Sequence, residues 1–277
     1  FPLEDQGVLV IGPNRVFLRY IEQVLPSLGE AGVEQVVLAD LVPGVTFARD
    51  QRDGDEAADA DTSLAARVKG DARMSDVIDR AVTDRERPLR DDLVVPFRSG
   101  YVRLTAQHSA SIVRQARRRY RRHNGARRWV EGEIWSAFDQ SWRAGEVTAS
   151  EVRAEVRRLP EVRQVLERMW PLLTPAELLH DLFGSQALLR LAADGVLDEW
   201  EYKALHRPRR DAVHDVRWTP ADVALLDDAR EVLGPIPGRD GKVDDADEIR
   251  TYGHIVIDEV QDLTPMQLKM AARRSLN

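Results

Sequence analysis

The stretch YGHIVIDEVQDLTPMQ, residues 252–267, joins a short apolar run directly to a group of acids. The run from His254 to Ile257 is continuous and mostly β-branched, which is typical of a buried strand in a parallel sheet. Such a strand normally ends in a turn, but here Asp258 and Glu259 follow at once. Ligands bind at the carboxyl ends of the strands in open α/β sheets. The stretch therefore predicts a parallel α/β fold with an acidic site at that edge.

The acids after the strand favour a metal site. Neighbouring carboxylates at a strand end repel one another unless a cation lies between them. In NTP-hydrolysing motors, a strand that ends in Asp-Glu holds Mg²⁺ through the Asp, and the Glu polarises the attacking water. The plainer interpretation is a solvated loop in which Asp262 or Thr264 caps the next helix. Gln261 and Asp262 extend the pattern to four apolar residues followed by DExQD, and this longer pattern favours the motor interpretation.

Two other segments predict strands of the same sheet. GVLVIG, residues 7–12, is a second buried-strand candidate, and residues 33–41 offer a third. Between them, apolar residues recur at helical spacing from Arg15 to Leu28. Strand, helix and strand in that order form a parallel α/β unit.

A long middle segment, residues 63–228, is predicted to be mostly helical. Three Thr-Pro pairs place a threonine at a helix N-cap and a proline in the first turn, beginning at Thr174, Thr219 and Thr264. The predicted architecture is one α/β domain interrupted by a large, mainly α-helical insertion. Residues 1–48 and 249–277 would form the α/β domain, and residues 49–248 the insertion. Two consecutive domains are the alternative, but a lone strand and helix after Ile249 would not make a domain.

Bulk properties narrow the class of protein. The 277 residues carry a net charge of −7 and have a pI near 5.5. These values argue against a protein that coats nucleic acid with a generally basic surface. The absence of cysteine excludes disulfides, thiolate zinc sites and cysteine nucleophiles, and it suits a reducing compartment. No apolar run approaches the roughly 20 residues that span a bilayer. The chain begins without Met and without a signal peptide, so we expect it to be a piece of a longer protein.

A cluster of arginines has two interpretations. RQARRRYRRHNGARR, residues 114–128, contains eight arginines, one tyrosine and no acid. The first is a helix that binds phosphates or the acidic surface of another protein, with Tyr120 available to stack. The second is a solvated helix face whose arginines pair with acid-rich loops such as residues 53–61. Both interpretations stay open. Salt-dependent binding to single-stranded DNA or RNA would distinguish them.

Other candidate groups favour structural roles. The segment 234–250 predicts a second loop, and an exposed linker is favoured for its acids over a metal site or a nucleic-acid mimic: Asp240, Asp244, Asp245, Asp247 and Glu248. The six tryptophans lie mostly among apolar helix positions, which favours core packing. The six histidines show no HExxH or other ligand spacing, so zinc is not expected.

The strings quoted above resemble a known family. HIVIDEVQDLTPMQ resembles motif II, the Walker B element, of UvrD-like superfamily 1 helicases, and GVLVIGPNRVFLRYIEQVLPSLGE resembles the segment that contains their motif Ia. Four strings resemble the HelD branch more than UvrD or Rep: GPNRVFLRYIEQVLPSLGE, KGDARM (69–74), RWTPADVALLDDAREVLG and GHIVIDEVQDLTPMQLKMAARR. HelD-like proteins are ATP-driven factors that bind bacterial RNA polymerase and release it from nucleic acid. The resemblance implies a partial RecA-like (P-loop NTPase) parallel sheet, with an insertion that opens the polymerase clamp.

The resemblance also implies roles for single residues. Asp258 would associate with Mg²⁺ through water, Glu259 would be the catalytic base, Gln261 would sense the γ-phosphate and Asp262 would hold the geometry of the nucleotide-binding loop. The motif Ia region, which faces the translocating strand in helicases, would include Pro13, Asn14 and Phe17. The GPN string differs from the Thr-Phe type of UvrD, and this difference puts strand contact there in doubt. For the arginine cluster the resemblance favours a protein partner, contacted by Arg117, Arg118, Arg121 and Arg122.

One departure from the family pattern limits what this chain is expected to do alone. The P-loop, GxxxxGK[ST], occurs nowhere in the 277 residues. Without its backbone amides and lysine, nothing grips the β- and γ-phosphates. Mg²⁺ and ATP are therefore expected in the longer protein, whereas the chain alone is expected neither to hydrolyse ATP nor to bind it tightly. The chain alone is also expected to be a monomer. The preferred partner is core RNA polymerase in the cytoplasm, at the nucleoid. The alternatives are a UvrD-type DNA helicase or translocase and, for this chain alone, a non-enzymatic polymerase-binding module.

Overall fold

The structure is a computed structural model, and it has a mixed α/β fold. It describes residues 7–24, 33–45, 47, 61–142, 147–238, 242–243 and 248–276. The predicted loop 49–61 lies outside the described residues except for Asp61. Four acids of the second predicted loop also lie outside them: Asp240, Asp244, Asp245 and Asp247.

Three parallel strands form a small sheet, as the sequence predicts. They are β1 (Val8–Ile11), β2 (Val33–Val36) and β5 (His254–Ile257), in the order β2-β1-β5. The register pairs the last residue of β1, Ile11, with Val36 on one side and Ile257 on the other. All three strands therefore end at one edge. Their shared core contains Leu9, Ile11, Val36, Tyr252 and Ala271.

The burial of β5 differs from the prediction. The strand itself is confirmed, but His254 is exposed and the side chain of Val256 is 44% exposed. The alternate residues Ile255 and Ile257 pack on the core. Among the described strands β5 lies at the edge of the sheet. An edge strand with one covered face alternates between packed and solvated side chains, even where its sequence is uniformly apolar.

Twelve α-helices occur among the described residues, and several begin at a capping side chain. Thr62, Thr105 and Thr148 each accept a hydrogen bond from a backbone N–H three residues ahead. The helix predicted over Arg15–Leu28 is observed to Val24, and residues 25–28 lie outside the described part. The helices are α1 (Arg15–Val24), α2 (Ser63–Lys69), α3 (Met74–Thr83), α4 (Ala106–Arg119), α5 (His123–Ser141), α6 (Ala149–Val156), α7 (Pro160–Met169), α8 (Pro175–Phe183), α9 (Gln186–Ala193), α10 (Glu199–Leu205), α11 (Val223–Leu233) and α12 (Pro265–Ala272).

The three Thr-Pro signals mark helix starts in the structure. α8 begins at Pro175 and α12 at Pro265, each directly after a threonine. At Thr219 the signal starts a short 3₁₀ turn, Pro220–Asp222, which leads into α11. Gly234 follows α11 with a φ of 68°, the left-handed conformation that ends many helices.

The chain divides into two compact units. The sheet unit comprises Phe1–Asp79, Pro175–Glu231 and Glu248–Asn277, and the hairpin unit comprises Arg80–Thr174 and Val232–Asp247. The predicted insertion, residues 49–248, describes how one segment of the sequence interrupts a domain, and it stays a prediction. The two units are defined by packing in space instead. By that criterion α2, α8, α9 and α10 belong to the same unit as the sheet.

The hairpin unit contains a β-hairpin that the sequence analysis missed. Strands β3 (Leu93–Phe97) and β4 (Gly100–Leu104) pair antiparallel, with a turn at Arg98, whose φ is 48°. Apolar runs this short do not separate strand from helix by periodicity, and Pro96 lowers the strand signal. The inward residues of the hairpin join a core that also holds rings from α5 and the end of α7: Val95, Phe97, Val102, Leu104, Trp135, Phe138 and Trp170.

The tryptophans follow the core prediction with one exception. Trp135, Trp170 and Trp218 are buried, and Trp129 and Trp142 pack against the hairpin-unit core. Trp200 is 50% exposed, which contradicts core packing for that residue. Its ring lies under the guanidinium of Arg67, 5.8 Å from its Cζ, and this stacking replaces a core environment. No helix of the described residues has the length and apolar character needed to cross a membrane.

Candidate functional site

The acids after β5 lie at the carboxyl edge of the parallel sheet. The backbone N–H of Asp258 donates to the carbonyl of Ile11 at 3.1 Å, which continues the β1–β5 ladder by one residue. On the other side of β1, the N–H of Gly12 donates to the carbonyl of Val36 at 3.0 Å. The segments that begin at Gly12 and at Asp258 therefore leave the same edge of adjacent strands, where open α/β sheets bind ligands.

The segment from Asp258 to Asp262, called here the acidic loop, has an unusual backbone. Glu259 has a φ of 52° and a ψ of 42°, a left-handed conformation that costs a non-glycine residue about 1–3 kcal/mol. The next residues form a 3₁₀ turn in which the N–H of Asp262 donates to the carbonyl of Glu259 at 2.9 Å. The side-chain amide of Gln261 donates to the Glu259 carboxylate. Asp258 is half-buried, whereas Glu259, Gln261 and Asp262 are exposed. The turn thus reverses the chain and leaves three polar side chains accessible.

A capping box starts the helix that follows the acidic loop. The hydroxyl of Thr264 accepts from the N–H of Gln267 at 3.3 Å, and the Thr264 N–H donates to the Gln267 side-chain oxygen at 2.9 Å. The N–H of Met266 donates to the carbonyl of Gly70 at 3.1 Å. A Cβ on Gly70 would lie 2.6 Å from Cγ2 of Thr264, so glycine permits this close approach. Gly70, in the KGDARM string, is a positioning residue that the sequence analysis did not single out.

The C-terminal end of α12 is held by buried ion pairs. Arg274 is 2% exposed, and its guanidinium donates to Asp227 Oδ1 at 2.6 Å and to the carbonyl of Met270 at 2.6 Å. Arg273 donates to both Asp227 and Asp228. Lys269, one turn earlier, lies 2.8 Å from Asp228. Both ends of α12 are therefore fastened within the sheet unit, and the acidic loop is attached to a fixed helix.

A second buried ion network surrounds the start of the KGDARM string. Lys69 is 1% exposed, and its Nζ lies 2.5 Å from Asp61 and 2.7 Å from Asp222. Asp222 also accepts from Arg207 at 3.1 Å. Burial by itself raises the pKa of Asp222, but the charges of Lys69 and Arg207 outweigh burial and hold its pKa below the ordinary value. Asp222 is therefore a buried carboxylate at neutral pH.

The predicted motif Ia residues lie at the same sheet edge as the acids. Asn14 caps α1, because its Oδ1 accepts from the N–H groups of Val16 and Phe17 at 3.0 and 2.9 Å. Pro13 and Asn14 are exposed, and Phe17 is half-buried. The capping contacts give Asn14 a structural function whether or not it contacts a ligand.

A neighbouring groove involves the segment after β2. Arg15 Nη2 donates to Asp40 Oδ1 at 2.6 Å. A groove of about 550 Å³ between α1 and β2 is lined by Arg15, Arg19, Gln35 and Asp40, among others, and by none of the acids that follow β5. We therefore do not assign this groove to the acidic site.

The donor set at the acidic edge fits Mg²⁺. Among the described residues, no three His, Cys, Asp or Glu side chains converge closely enough to hold a metal by themselves. Mg²⁺ commonly takes only one or two protein carboxylates and completes its coordination with waters and substrate phosphates. Asp258 and Glu259 are carboxylates at a ligand-binding edge, so their chemistry suits an ion that a bound phosphate helps to hold.

The arginine cluster is divided between two helices of the hairpin unit. α4 ends at Arg119, and α5 begins at His123. Arg117 Nε lies 2.7 Å from Glu86, and Arg127, which is buried, pairs with Glu131 at 2.8 Å and Glu167 at 2.6 Å. Arg117 and Arg127 therefore have ion-pair partners within the hairpin unit, and the cluster is not one continuous helical face.

The remaining arginines differ in environment. The guanidinium of Arg119 lies 5.7 Å from the ring centroid of Trp129. Arg121 is exposed and Arg122 is half-buried, and both interact with other groups. Arg114 and Arg118 are exposed, and within the described part of the chain neither has an ion-pair partner. They stand four residues apart on α4, and this spacing places them on one face.

Comparison with known proteins assigns no family to this chain. Neither models of protein families nor curated proteins yield a match to this chain.

Proposed function

We propose that this chain belongs to the first RecA-like motor domain of a HelD-like superfamily 1 ATPase, which remodels or releases RNA polymerase in the cytoplasm. One observation carries this proposal: the Asp258-Glu259 pair and the Gly12–Asn14 turn leave adjacent parallel strands at one edge, joined by the Asp258–Ile11 hydrogen bond of 3.1 Å. This is where a motor of this class needs its acids.

Each polar residue of the acidic loop would have a separate role at a bound nucleotide. Asp258, half-buried at the end of the strand, would hold Mg²⁺ through water. The ion would neutralise charge on the triphosphate. Glu259 would accept a proton from the attacking water at its carboxylate. Gln261 donates to that carboxylate, and this bond links the base to the loop that would respond to the γ-phosphate. Asp262, through its N–H bond to Glu259, helps hold the turn.

The catalytic part of the proposal is tested in the full-length protein. Glu259→Gln removes the base but keeps side-chain shape and hydrogen bonding to Gln261. We expect ATP turnover to fall by about 10²-fold or more, while nucleotide affinity stays within a fewfold. Glu22→Gln, at an exposed position on α1, is the matched control and should keep full turnover. Unchanged turnover in Glu259→Gln would refute the assigned role.

The partner surface is assigned to the exposed face of α4. Arg114 and Arg118 present two guanidiniums on one face without an ion-pair partner among the described residues. Arginine is enriched at protein interfaces and binds carboxylates in a bidentate manner. The structural partners of Arg117 and Arg127 are a specific reason to separate those two arginines from the docking surface.

A pull-down of core RNA polymerase by the 277-residue chain tests this surface. Arg114→Gln/Arg118→Gln should reduce capture at least about tenfold, because two charge-assisted contacts are lost. Arg153→Gln/Arg157→Gln, an equally spaced exposed pair on and just after α6, is the control. Equal capture by both double variants would contradict the proposed surface. Salt-dependent binding to single-stranded DNA that is lost in the α4 variant, without polymerase capture, would instead favour the UvrD-type alternative.

A further inference from the structure

The groove between α1 and β2 has room for a ligand and an open rim. Its volume is about 550 Å³, and its lining includes Leu18, Arg19, Val33 and Gln35. Arg19 is exposed, so the helix side of the groove opens to solvent. Pockets for small molecules instead enclose most of the ligand surface. An open groove of this size suits an extended segment of polypeptide better than an enclosed small molecule.

The strand beside this groove, β2, has backbone groups that the sheet does not use. Within the part of the chain that the structure describes, β2 is the last strand on its side of the sheet. The N–H of Gly12 donates to the carbonyl of Val36 at 3.0 Å, so the backbone of Val36 faces β1. Backbone groups alternate in direction along a strand, so the N–H and carbonyl of Gln35 point away from β1. Such a free edge is a template for pairing with another strand.

One end of this edge is closed by a side chain, and its middle is open. The outward N–H of Val37 donates to Asp40 Oδ2 at 3.3 Å, which satisfies the last group of the edge. Gln35 is half-buried, and among the described residues no hydrogen bond occupies its outward N–H or carbonyl. The edge therefore offers one donor and one acceptor at Gln35, directly beside the groove.

The helix side of the groove favours an acidic ligand. Arg15 and Arg19 stand four residues apart on α1, which places them on one face. Arg19 has no ion-pair partner within the described part of the chain. The lining also contains two acids, but Asp40 already accepts from Arg15 at 2.6 Å, which leaves only Glu22 to oppose an incoming acid. Guanidinium binds carboxylates with parallel N–H donors, so Arg19 is suited to a glutamate or aspartate of a bound segment.

We propose that an extended, acidic segment of a partner polypeptide pairs with the edge of β2 and occupies this groove. Its main chain would bond to the N–H and carbonyl of Gln35, and one of its carboxylates would contact Arg19. Strand addition of this kind takes affinity from main-chain hydrogen bonds and specificity from side-chain contacts. Neither the acidic loop nor the arginines of α4 take part, so the proposal goes beyond the proposed function and does not depend on it.

Hydrogen exchange of the 277-residue chain tests the main-chain pairing. The probe is a blocked peptide of alternating threonine and glutamate, which as a strand presents all its glutamates on one face. The amide of Gln35, followed by NMR, should exchange at least about tenfold more slowly at saturating peptide, because pairing protects it from water. Unchanged exchange at Gln35 would overturn the proposal.

Two substitutions at Gln35 separate its backbone from its side chain. Gln35→Pro removes the outward N–H at an edge position, where proline is tolerated, and it should abolish peptide binding. Gln35→Ala keeps the N–H and should bind within about threefold of the parent chain. Equal binding by the two variants contradicts strand addition. Circular dichroism verifies folding, and if Gln35→Pro does not fold, the exchange of the Gln35 amide decides.

Calorimetric titration with the same peptide tests the charged contact. Arg19→Gln should weaken binding about tenfold, because one charge-assisted contact is lost. Arg190→Gln, at an exposed position on α9 of the same unit, is the control and should bind as the parent chain does. A peptide with lysine in place of glutamate should bind at least about tenfold more weakly. An acidic partner is ruled out if the two peptides, or the two arginine variants, give equal affinities.

The alternative occupant of this edge is a second copy of the chain. Sedimentation velocity without peptide should give a monomer. A dimer that Gln35→Pro dissociates would assign the edge of β2 to self-association and would overturn the proposal of a separate partner.

Discussion

The sheet unit and the hairpin unit place their charges differently. The sheet unit contains ion pairs in which both partners are buried: the side chains of Lys69 and Asp222 are 2% and 0% exposed, and those of Arg274 and Asp227 are 3% and 0% exposed. In the hairpin unit Arg127 is mostly buried, but its partner Glu167 is 56% exposed. Rings of tryptophan and phenylalanine fill the interior there.

The difference shows that buried ion pairs position the elements of the sheet unit, whereas apolar packing dominates the hairpin unit. A fully buried ion pair stabilises little in total, because desolvation offsets attraction, but the loss of one partner leaves a costly isolated charge. Such pairs tolerate few alternative arrangements. In the sheet unit they fasten α12, which follows the acidic loop, and the KGDARM segment, which contacts the start of α12. We infer that the buried charges hold the site in place, whereas ring packing gives the hairpin unit its stability.

The largest effect should come from breaking a buried network of the sheet unit. Asp227→Ala leaves Arg273 and Arg274 without their shared carboxylate. We expect the free energy of unfolding to fall by about 3–5 kcal/mol, measured by urea denaturation. Asp76→Ala, at an exposed position on α3, should change it by less than about 0.5 kcal/mol. Similar losses in the two variants would show that the buried ion pairs of Asp227 contribute no more than an exposed aspartate does.

The second effect concerns the rings of the hairpin unit. Trp170 is 1% exposed, stacks on His123 at 5.0 Å and donates its Nε1–H to the His123 carbonyl at 2.8 Å. Trp170→Phe keeps a stacked ring but loses the hydrogen bond to that carbonyl and leaves a small void. We expect a loss of about 2 kcal/mol in thermal or urea unfolding. The same change at the half-exposed Trp200 should cost less than about 0.5 kcal/mol, and an equal cost at both positions would contradict ring packing as the cause.

A smaller effect should follow from crowding the acidic site. Gly70 has a φ of −79°, which alanine also adopts, so Gly70→Ala acts through the 2.6 Å approach to Thr264 Cγ2. We expect a loss of about 1 kcal/mol, together with reduced ATP turnover in the full-length protein. Thr264→Ser removes Cγ2 but keeps the capping hydroxyl, so it should restore part of both. Gly132→Ala, in α5 with open space around it, should instead stabilise by about 0.5–1 kcal/mol.

The smallest effect is a pH dependence in the hairpin unit. Hydrogen bonds from the N–H and hydroxyl of Thr148, and then from Arg98, lower the pKa of Glu151 to about 2. A lowered pKa in the folded state contributes stability above the ordinary pKa of 4.5, and that contribution disappears as the pH falls towards about 2. Glu151→Gln does not titrate. The difference in Tm between the parent chain and this variant should therefore shrink from pH 4.5 to pH 2, and a constant difference would rule out this linkage.

Local patterns were sufficient for the elements around the site. The apolar run before Asp258 predicts β5, and the Thr-Pro signals at Thr174 and Thr264 predict the starts of α8 and α12, because these features act over one helical turn or one strand. The β3–β4 hairpin was missed because apolar runs this short do not separate strand from helix by periodicity, and Pro96 weakens the strand signal. The exposure of Val256 and Trp200 was missed because exposure depends on which neighbours cover a side chain.

The sequence by itself determined the parallel strands, the helix starts and the acids that follow β5, since each depends on residues close together in the chain. Only the tertiary structure decided that Asp258 and Gly12 leave the same sheet edge, and that Gly70 contacts the start of α12. It also decided that Arg117 and Arg127 are structural while Arg114 and Arg118 are exposed. The physical reason is that periodicity and capping are local, whereas register, close approach and the pairing of buried charges join residues that are far apart in sequence.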